Sequence, residues 1–265
     1  WSSDVCSSDL SVLTIPYAMK VSDHTFHDHE KHATQRLTLT GALAVSSNTG
    51  AIQVGQLLGA DTLYSYLTKF GIGSQTGSNL PGESAGLLPP RNKWSGTTMP
   101  TVSFGQGYSV TAMQATEVFA TIANDGVRVP PTVVAGTSSG TGSFTPMSAA
   151  SGVRVIGKET AQTLRLMLES VVSDQGTAPS AAIKGYRIAG KTGTAMRFSD
   201  ACGCYSGYTA SFIGMAPADK PAYVVSVAIQ APQGIHWGGY LGGPLFKKVM
   251  SYALQAKHIP PTNTV

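Results

Sequence analysis

Apolar positions recur at three- and four-residue spacing along several stretches of the chain, and each repeat predicts a helix. The first begins at Leu37, runs through Leu39, Leu43 and Val45 to Ser46-Ser47-Asn48, resumes with Ile52, Val54, Leu57 and Leu58, and stops at Gly59. Ser46 and Asn48 thus fall at a break between helical segments, where short polar side chains can point into a cleft. A second helix restarts at Asp61 as its N-cap, carries Leu63, Tyr66, Leu67 and Phe70, and ends at Gly71. A third runs from near Thr111 to Asn124, with Ala112, Ala115, Phe119 and Ile122 on its apolar face and Glu117 outside it. A fourth, Lys158 to Ser173, places Ala161, Leu164, Leu168, Val171 and Val172 on its buried side. The last starts at Leu241 or Pro244, ends near Gln255, and presents Leu245, Val249, Ala253 and Leu254.

Between the last two helices the period shortens to two. Tyr186 to Ala195, Tyr208 to Ala216 and Tyr223 to Ala231 read as strands, and Pro217-Ala218-Asp219-Lys220-Pro221 reads as the hairpin turn joining the second to the third. Val127 to Ala135 reads as a further strand, placed at an edge or bend by Pro130-Pro131. Gly71 to Pro90 is a long Gly-, Ser- and Pro-rich excursion, Gly136 to Ala150 a Ser-Gly-Thr linker, and Phe104-Gly105-Gln106-Gly107 a tight turn. Ser11 to Lys20 is too short to assign. Helices before and after a closely connected antiparallel sheet make an α+β architecture with a helix-rich portion ahead of the sheet.

Composition narrows the function class. With 265 residues, 42% hydrophobic and 12% charged, the chain is a folded one, long enough for one large domain or two modest ones. A net charge of +4 without basic runs argues against nucleic acid as a partner. The best apolar window, Tyr223 to Ala231, is strand-sized, so a membrane anchor would lie outside this chain. The first ten residues, WSSDVCSSDL, resemble the translation of a sequencing adapter read through into an open reading frame. They are set aside as a non-native scar, which leaves residues 11–265 as one unit with its native N-terminal part expected to be missing.

The chemistry concentrates in Tyr186-Arg187-Ile188-Ala189-Gly190-Lys191-Thr192-Gly193-Thr194-Ala195. On a regular strand Lys191 and Thr192 project from opposite faces, Lys191 shares its face with Gly193, and Gly193 allows a close backbone approach. A cation, hydroxyl donors and a sheet edge suit an extended peptide ending in a carboxylate. Taken alone, these residues are better read as a half-buried strand followed by a Gly-Thr turn. His24, His27, His29 and His32, with Asp23, Asp28 and Glu30, have spacings that could hold zinc or nickel, but the same residues suit a solvated hairpin, and no metal site is assigned. Cys202-Gly203-Cys204 is open to a cramped disulfide or two free thiols. Trp237 and Tyr240 either border a cleft or pack on the last helix.

Ser46-Ser47-Asn48 followed by Lys191-Thr192-Gly193 resembles two of the three signatures of penicillin-binding proteins and class A β-lactamases. Phe70-Gly71-Ile72-Gly73, Thr76-Gly77, Leu80-Pro81-Gly82-Glu83, Phe104 to Gly107, Ala123 to Gly126, Ala210 to Gly214 and Gly238-Gly239-Tyr240 resemble the class B penicillin-binding proteins, and the division type most of all. The resemblance covers Leu37 to the last helix. It implies the transpeptidase fold of penicillin-binding proteins and serine β-lactamases, and acyl transfer on peptidoglycan stem peptides outside the cell membrane. It also implies acylation by β-lactams, division-complex partners and no cofactor. Ser46 would relay a proton, Asn48 would orient the donor, and Lys191 would keep the site positive and Ser46 oriented. Thr192, Gly193 and Thr194 would form the substrate-binding strand: both threonine hydroxyls would bind the terminal carboxylate, and the backbone N–H of Thr194 would be half of the oxyanion hole. The third signature is absent: no serine here stands three residues ahead of a lysine. In this family it belongs further ahead of Ser46 than residues 11–45 reach, so the nucleophile is expected to be missing from the chain. A β-lactamase or β-lactam-sensor domain, or a non-catalytic division-complex homologue, are the alternative readings.

Overall fold

The computed structural model describes residues 11–262 other than 141, 149 and 200. The adapter-like residues 1–10 lie outside the described residues. The segment left unassigned from sequence is a ribbon: β1 (Val12–Ile15) pairs antiparallel with β4 (Gln35–Thr38), and inside it β2 (Ala18–Val21) pairs with β3 (His24–His27). Leu37, expected to open a helix, belongs to β4 opposite Leu13. The helix begins two residues later because the hydroxyl of Thr38 accepts from the Gly41 N–H and caps it.

That helix, α1 (Leu39–Ala44), and the next, α2 (Asn48–Leu58), are separated by the predicted break. Ser47, not Ser46 or Asn48, is the cap of α2, accepting from the Gly50 N–H. Gly59, at φ +78°, ends α2 and is also the N-cap of α3 (Ala60–Lys69). Asp61 therefore lies in the first turn of α3 instead of capping it, and its carboxylate pairs with Arg91 at 2.7 Å. Phe70 closes α3 ahead of Gly71, as the pattern predicts.

The excursion from residue 71 to 90 holds no helix or strand among the described residues, yet it is well anchored. Glu83 accepts from the Thr76 N–H at 2.9 Å and from the Ser78 hydroxyl at 3.1 Å, and these bonds, led by the Thr76 hydroxyl, lower its pKa. Gln114 donates to the carbonyls of Ser74 and Ala85 at 2.7 and 2.9 Å. It does so from the first turn of α5 (Ala112–Ala123), where it also completes a capping box with Thr111. A short helix that periodicity does not reveal, α4 (Thr98–Ser103), precedes the Phe104–Gly107 turn.

The buried side of α5 differs from the expected one: it comprises Gln114, Glu117, Thr121 and Ile122. Glu117 is only 4% exposed, faces Arg128 at 3.7 Å, and has its pKa raised by burial against the opposing pull of Arg128. The strand expected over Val127 to Ala135 shrinks to β5 (Val127–Arg128), paired with β8 (Val153–Arg154), since Pro130-Pro131 removes the donors needed to continue. The predicted linker after it contains a small hairpin, β6 (Gly136–Ser138) with β7 (Phe144–Pro146).

The core is a three-stranded antiparallel sheet, β9 (Ala189–Ser199), β10 (Cys204–Ala216) and β11 (Tyr223–Gln230), in the order β11-β10-β9. Tyr186 to Ile188 precede β9 instead of joining it; the Tyr186 hydroxyl donates to the Ile259 carbonyl. Helix α6 (Lys158–Glu169) continues as a single 3-10 turn, Ser170–Val172. Met215 and Val224 pack with Ile122 of α5 and Leu168 of α6 on one face. On the other, Phe212, Ala216, Val225 and Val227 pack with Phe246, Met250 and Leu254 of α7 (Gly238–Ala256).

Helix α7 begins before the predicted start and buries Gly242, Phe246, Met250 and Leu254, while Leu245 and Val249 are exposed. The glycines explain the rotation, because they let the first turns lie directly against strand backbone, and apolar count alone does not register them. The result is an α+β fold with helices on both faces of the sheet. Among the described residues no helix is long and apolar enough to cross a membrane.

The fully buried Phe212 meets Phe246 edge-on at 4.8 Å. Phe212→Ala is expected to cost about 3–5 kcal/mol of stability. Urea unfolding of the purified chain checks this, and a loss below about 1 kcal/mol would show that α7 does not depend on this contact.

Candidate active site

The register of β9 against β10 decides where each signature side chain goes. Lys191 stands opposite Ile213, Thr192 opposite Phe212, Gly193 opposite Ser211 and Thr194 opposite Ala210. Cross-strand partners share a face, so Thr192 lies on the Phe212 side with α7, and Lys191 on the other. Lys191 extends across that face to the α1–α2 break, where its Nζ donates to Ser46 Oγ at 2.6 Å. Residues 145 positions apart are thereby joined in one site.

Ser46 is exposed and sits at φ +58°, a left-handed conformation seldom adopted outside glycine. Such a conformation costs about 1–3 kcal/mol and persists because the surrounding structure holds it. Asn48 is the first residue of α2, and its Nδ2 donates to the His27 carbonyl at 3.0 Å. That bond orients the amide and leaves its oxygen as the acceptor for a ligand.

The two threonine hydroxyls have separate partners. Thr192 Oγ1 bonds Thr177 Oγ1 at 2.9 Å and lies 3.4 Å from Lys191 Nζ. Thr194 Oγ1 accepts from the backbone N–H of Gly238 at 3.1 Å, which leaves its own proton to donate. A Cβ on Gly193 would meet only the Ser211 hydroxyl, which would have to rotate away. Gly238 is the more tightly constrained: a Cβ would strike the backbone carbonyl oxygens of Ser211 and Gly193. The start of α7 thus comes closest to the Lys191–Thr194 strand.

Several neighbours of the site carry no local signal in the sequence. Gln106 clamps the backbone of Met196, donating to its carbonyl at 3.1 Å and accepting from its N–H at 3.3 Å, so the Phe104–Gly107 turn anchors the strand just past Thr194. Thr177 follows a 3-10 turn in an unpatterned loop. Asp28, which the spacing grouped with possible metal ligands, turns inward to the Ser47–Thr49 turn instead of lying solvated. Among the described residues no three His, Cys, Asp or Glu side chains converge as a metal site. Trp237 lies in a run of rings, His29–Trp237 at 4.5 Å, Trp237–His236 at 4.4 Å and His236–Tyr208 at 4.0 Å, while Tyr240 is exposed. Cys202 and Cys204 are joined as a disulfide at the tip of the β9–β10 hairpin.

Comparison with known proteins follows the geometry. The family described as "Penicillin binding protein transpeptidase domain" matches residues 5–251. The chain is 43% identical over 259 residues to penicillin-binding protein PbpB of Mycolicibacterium smegmatis, covering 94% of this chain and 40% of that protein. It is 36% identical over 253 residues to the peptidoglycan D,D-transpeptidase FtsI of Escherichia coli, covering 95% of this chain and 41% of FtsI. The chain therefore spans about 40% of the length of these relatives. Penicillin binding protein 3 of Mycobacterium tuberculosis, solved in complex with ampicillin, superposes with a TM-score of 0.91 at 38% identity, over 99% of this chain and 62% of that one. Its complex with aztreonam gives a TM-score of 0.90 at 39% identity, over 97% and 62% of the two chains.

Desolvation lowers the Lys191 pKa from 10.5 to about 8. The unfolded chain keeps its proton up to the higher value, so between those limits the unfolded state binds more protons and stability rises with pH. Below pH 8 the full cost of the buried charge is present. Relative to Lys191→Met, the wild-type chain should gain on the order of 2 kcal/mol between pH 8 and 10. Parallel urea midpoints for the two proteins across that range would contradict the buried ammonium.

Proposed function

Because the chain belongs to the penicillin-binding protein transpeptidase domain family, we propose that its parent is a division-type peptidoglycan D,D-transpeptidase and that this chain supplies the part of the site that binds and orients the donor stem peptide. The observation that carries the reading is the 2.6 Å bond from Lys191 Nζ to Ser46 Oγ. It unites the two signatures, and it lies beside a strand whose threonines offer hydroxyl donors.

In the reaction a serine Oγ attacks the carbonyl carbon of the penultimate D-Ala, and the C–N bond to the terminal D-Ala breaks. That amine leaves with a proton, and an amine of a neighbouring stem peptide then displaces the serine to form the cross-link. Ser46, holding one bond from Lys191, accepts and donates at once and so relays the proton between the attacking oxygen and the leaving nitrogen. Lys191 keeps Ser46 in place and makes the face positive. Asn48 offers its free amide oxygen to the peptide N–H of the donor. The Thr194 hydroxyl, and that of Thr192 on exchanging its bond to Thr177, receive the terminal carboxylate, with Gly193 leaving the strand edge open. The Thr194 N–H stabilises the oxyanion.

The attacking serine and its lysine come from a part of the parent outside this chain, which holds no S-x-x-K. A β-lactam fits the same strand through its carboxylate and acylates the same serine. The parent acts outside the cell membrane, tethered by an anchor elsewhere in its length and working with division proteins.

Two labelling results test this. The purified chain should form no covalent adduct with a fluorescent penicillin, whereas the full-length parent should form one. Lys191→Ala in the parent should slow labelling by about 100-fold or more. A labelled fragment would remove the proposed division of labour, and an unlabelled parent would remove the enzyme assignment.

A further inference from the structure

The turn that carries Ser46 and Asn48 is held from outside by one buried carboxylate. Asp28 is 7% exposed, and both of its oxygens are engaged. Oδ1 accepts from the Thr49 N–H at 2.9 Å, and Oδ2 accepts from Ser47 Oγ at 2.7 Å and faces His32 Nε2 at 3.1 Å. The neighbouring His27 carbonyl takes the amide of Asn48. Residues 47, 48 and 49 are therefore each fastened to residues 27–28, and Ser46, the residue just before them, occupies the left-handed conformation. Ser47 caps α2 through the Gly50 N–H at 2.9 Å and Asp28 caps it at the Thr49 N–H, but the bond from Asp28 to the Ser47 hydroxyl goes beyond capping. Asp28 thus grips both the cap, Ser47, and the residue beyond Asn48, Thr49, on either side of the turn.

His32 makes that grip depend on a proton. Its Nδ1 lies 2.8 Å from the Ala33 carbonyl and its Nε2 lies 3.1 Å from Asp28, so both ring nitrogens face acceptors. Only the imidazolium, with a proton on each nitrogen, satisfies both; a neutral ring must give up one bond. The ring edge of Tyr17, 5.9 Å away, is its other neighbour, and His27 stacks on Tyr17 at 5.6 Å. The pKa of His32 is raised, chiefly by the Ala33 carbonyl and further by Asp28, with burial opposing.

We propose that Asp28, paired with protonated His32, is a positioning residue for the active-site turn, holding Ser46 and Asn48 where Lys191 and the donor peptide meet them. The assignment rests on the transpeptidase reading above, since it concerns the efficiency of acylation.

The experiment uses the full-length parent and a penicillin, separating the acylation rate constant from the dissociation constant of the preceding complex. Asp28→Asn keeps the shape and one acceptor but loses the charge and the second acceptor. Its acylation rate constant should fall by about ten- to hundredfold while the dissociation constant changes less than about threefold. The ratio of wild-type to His32→Gln rates should exceed about fivefold at pH 6 and approach one by pH 8.5, because both proteins share the Lys191 titration and only His32 differs. His32 is 17% exposed in a loop, so this variant carries the test if Asp28→Asn does not fold. Asp28→Asn acylating within twofold of wild type, or a wild-type to His32→Gln ratio constant with pH, would overturn the positioning role while leaving the transpeptidase reading intact. A wild-type parent that is not acylated would overturn both.

Discussion

The antiparallel pairing of β9 with β10 is the constraint on which the site depends. Strand side chains alternate, so the register that sets Lys191 opposite Ile213 and Thr192 opposite Phe212 also decides which chemistry faces which layer of the molecule. A slip of one residue would point the ammonium at α7 and a threonine at Ser46. Phe212 opposes such a slip, because it is fully buried, packs edge-on against Phe246, and would lose that packing. The glycine-rich start of α7 adds a second lock, because Gly238 and Gly242 lie directly on strand backbone that any larger residue would displace.

From that register the site is assembled out of polar groups that restrain one another. Lys191 loses water when it crosses to the helix break, which lowers its pKa to about 8, and Ser46 Oγ replaces only part of the lost hydration. Ser46 is held in an unfavourable backbone conformation by neighbours fastened to Asp28 and His27. Stability is given up locally, at the residue and the cation joined at the helix break, while the apolar layers on both faces of the sheet supply it elsewhere. The same division recurs in α5, where buried Gln114 holds the 71–90 loop and buried Glu117 faces Arg128 of β5, so a helix read as amphipathic turns its polar residues inward.

Local pattern and motif made much of this legible. Residue spacing and turn chemistry place α2, α3, α5, α6 and the β10–β11 hairpin near where they occur, because those elements follow from period, cap and proline, which act within a few residues. The Ser46–Asn48 and Lys191–Gly193 signatures, read together, identify the family and the residues that meet. The failures share one cause. Leu245 and Val249 look like a buried stripe, but the glycines ahead of them, Gly238, Gly239, Gly242 and Gly243, seat the helix on its other side. Asp28 looks like a solvated member of a histidine cluster, but its partners lie about twenty positions away, at Ser47 and Thr49.

What the sequence determined by itself is therefore the class of fold, the family, and the two signatures that carry the candidate site, since these depend on composition and on contiguous residues. Only the tertiary structure decided how those side chains are held. The bond between Lys191 and Ser46, the partners Thr177 and Gly238 of the two threonine hydroxyls, and the grip of Asp28 on the turn all join segments whose spacing along the chain carries no signal. Their geometry follows from the sheet register and from which helix face is packed down, and those are settled by burial across the whole chain at once.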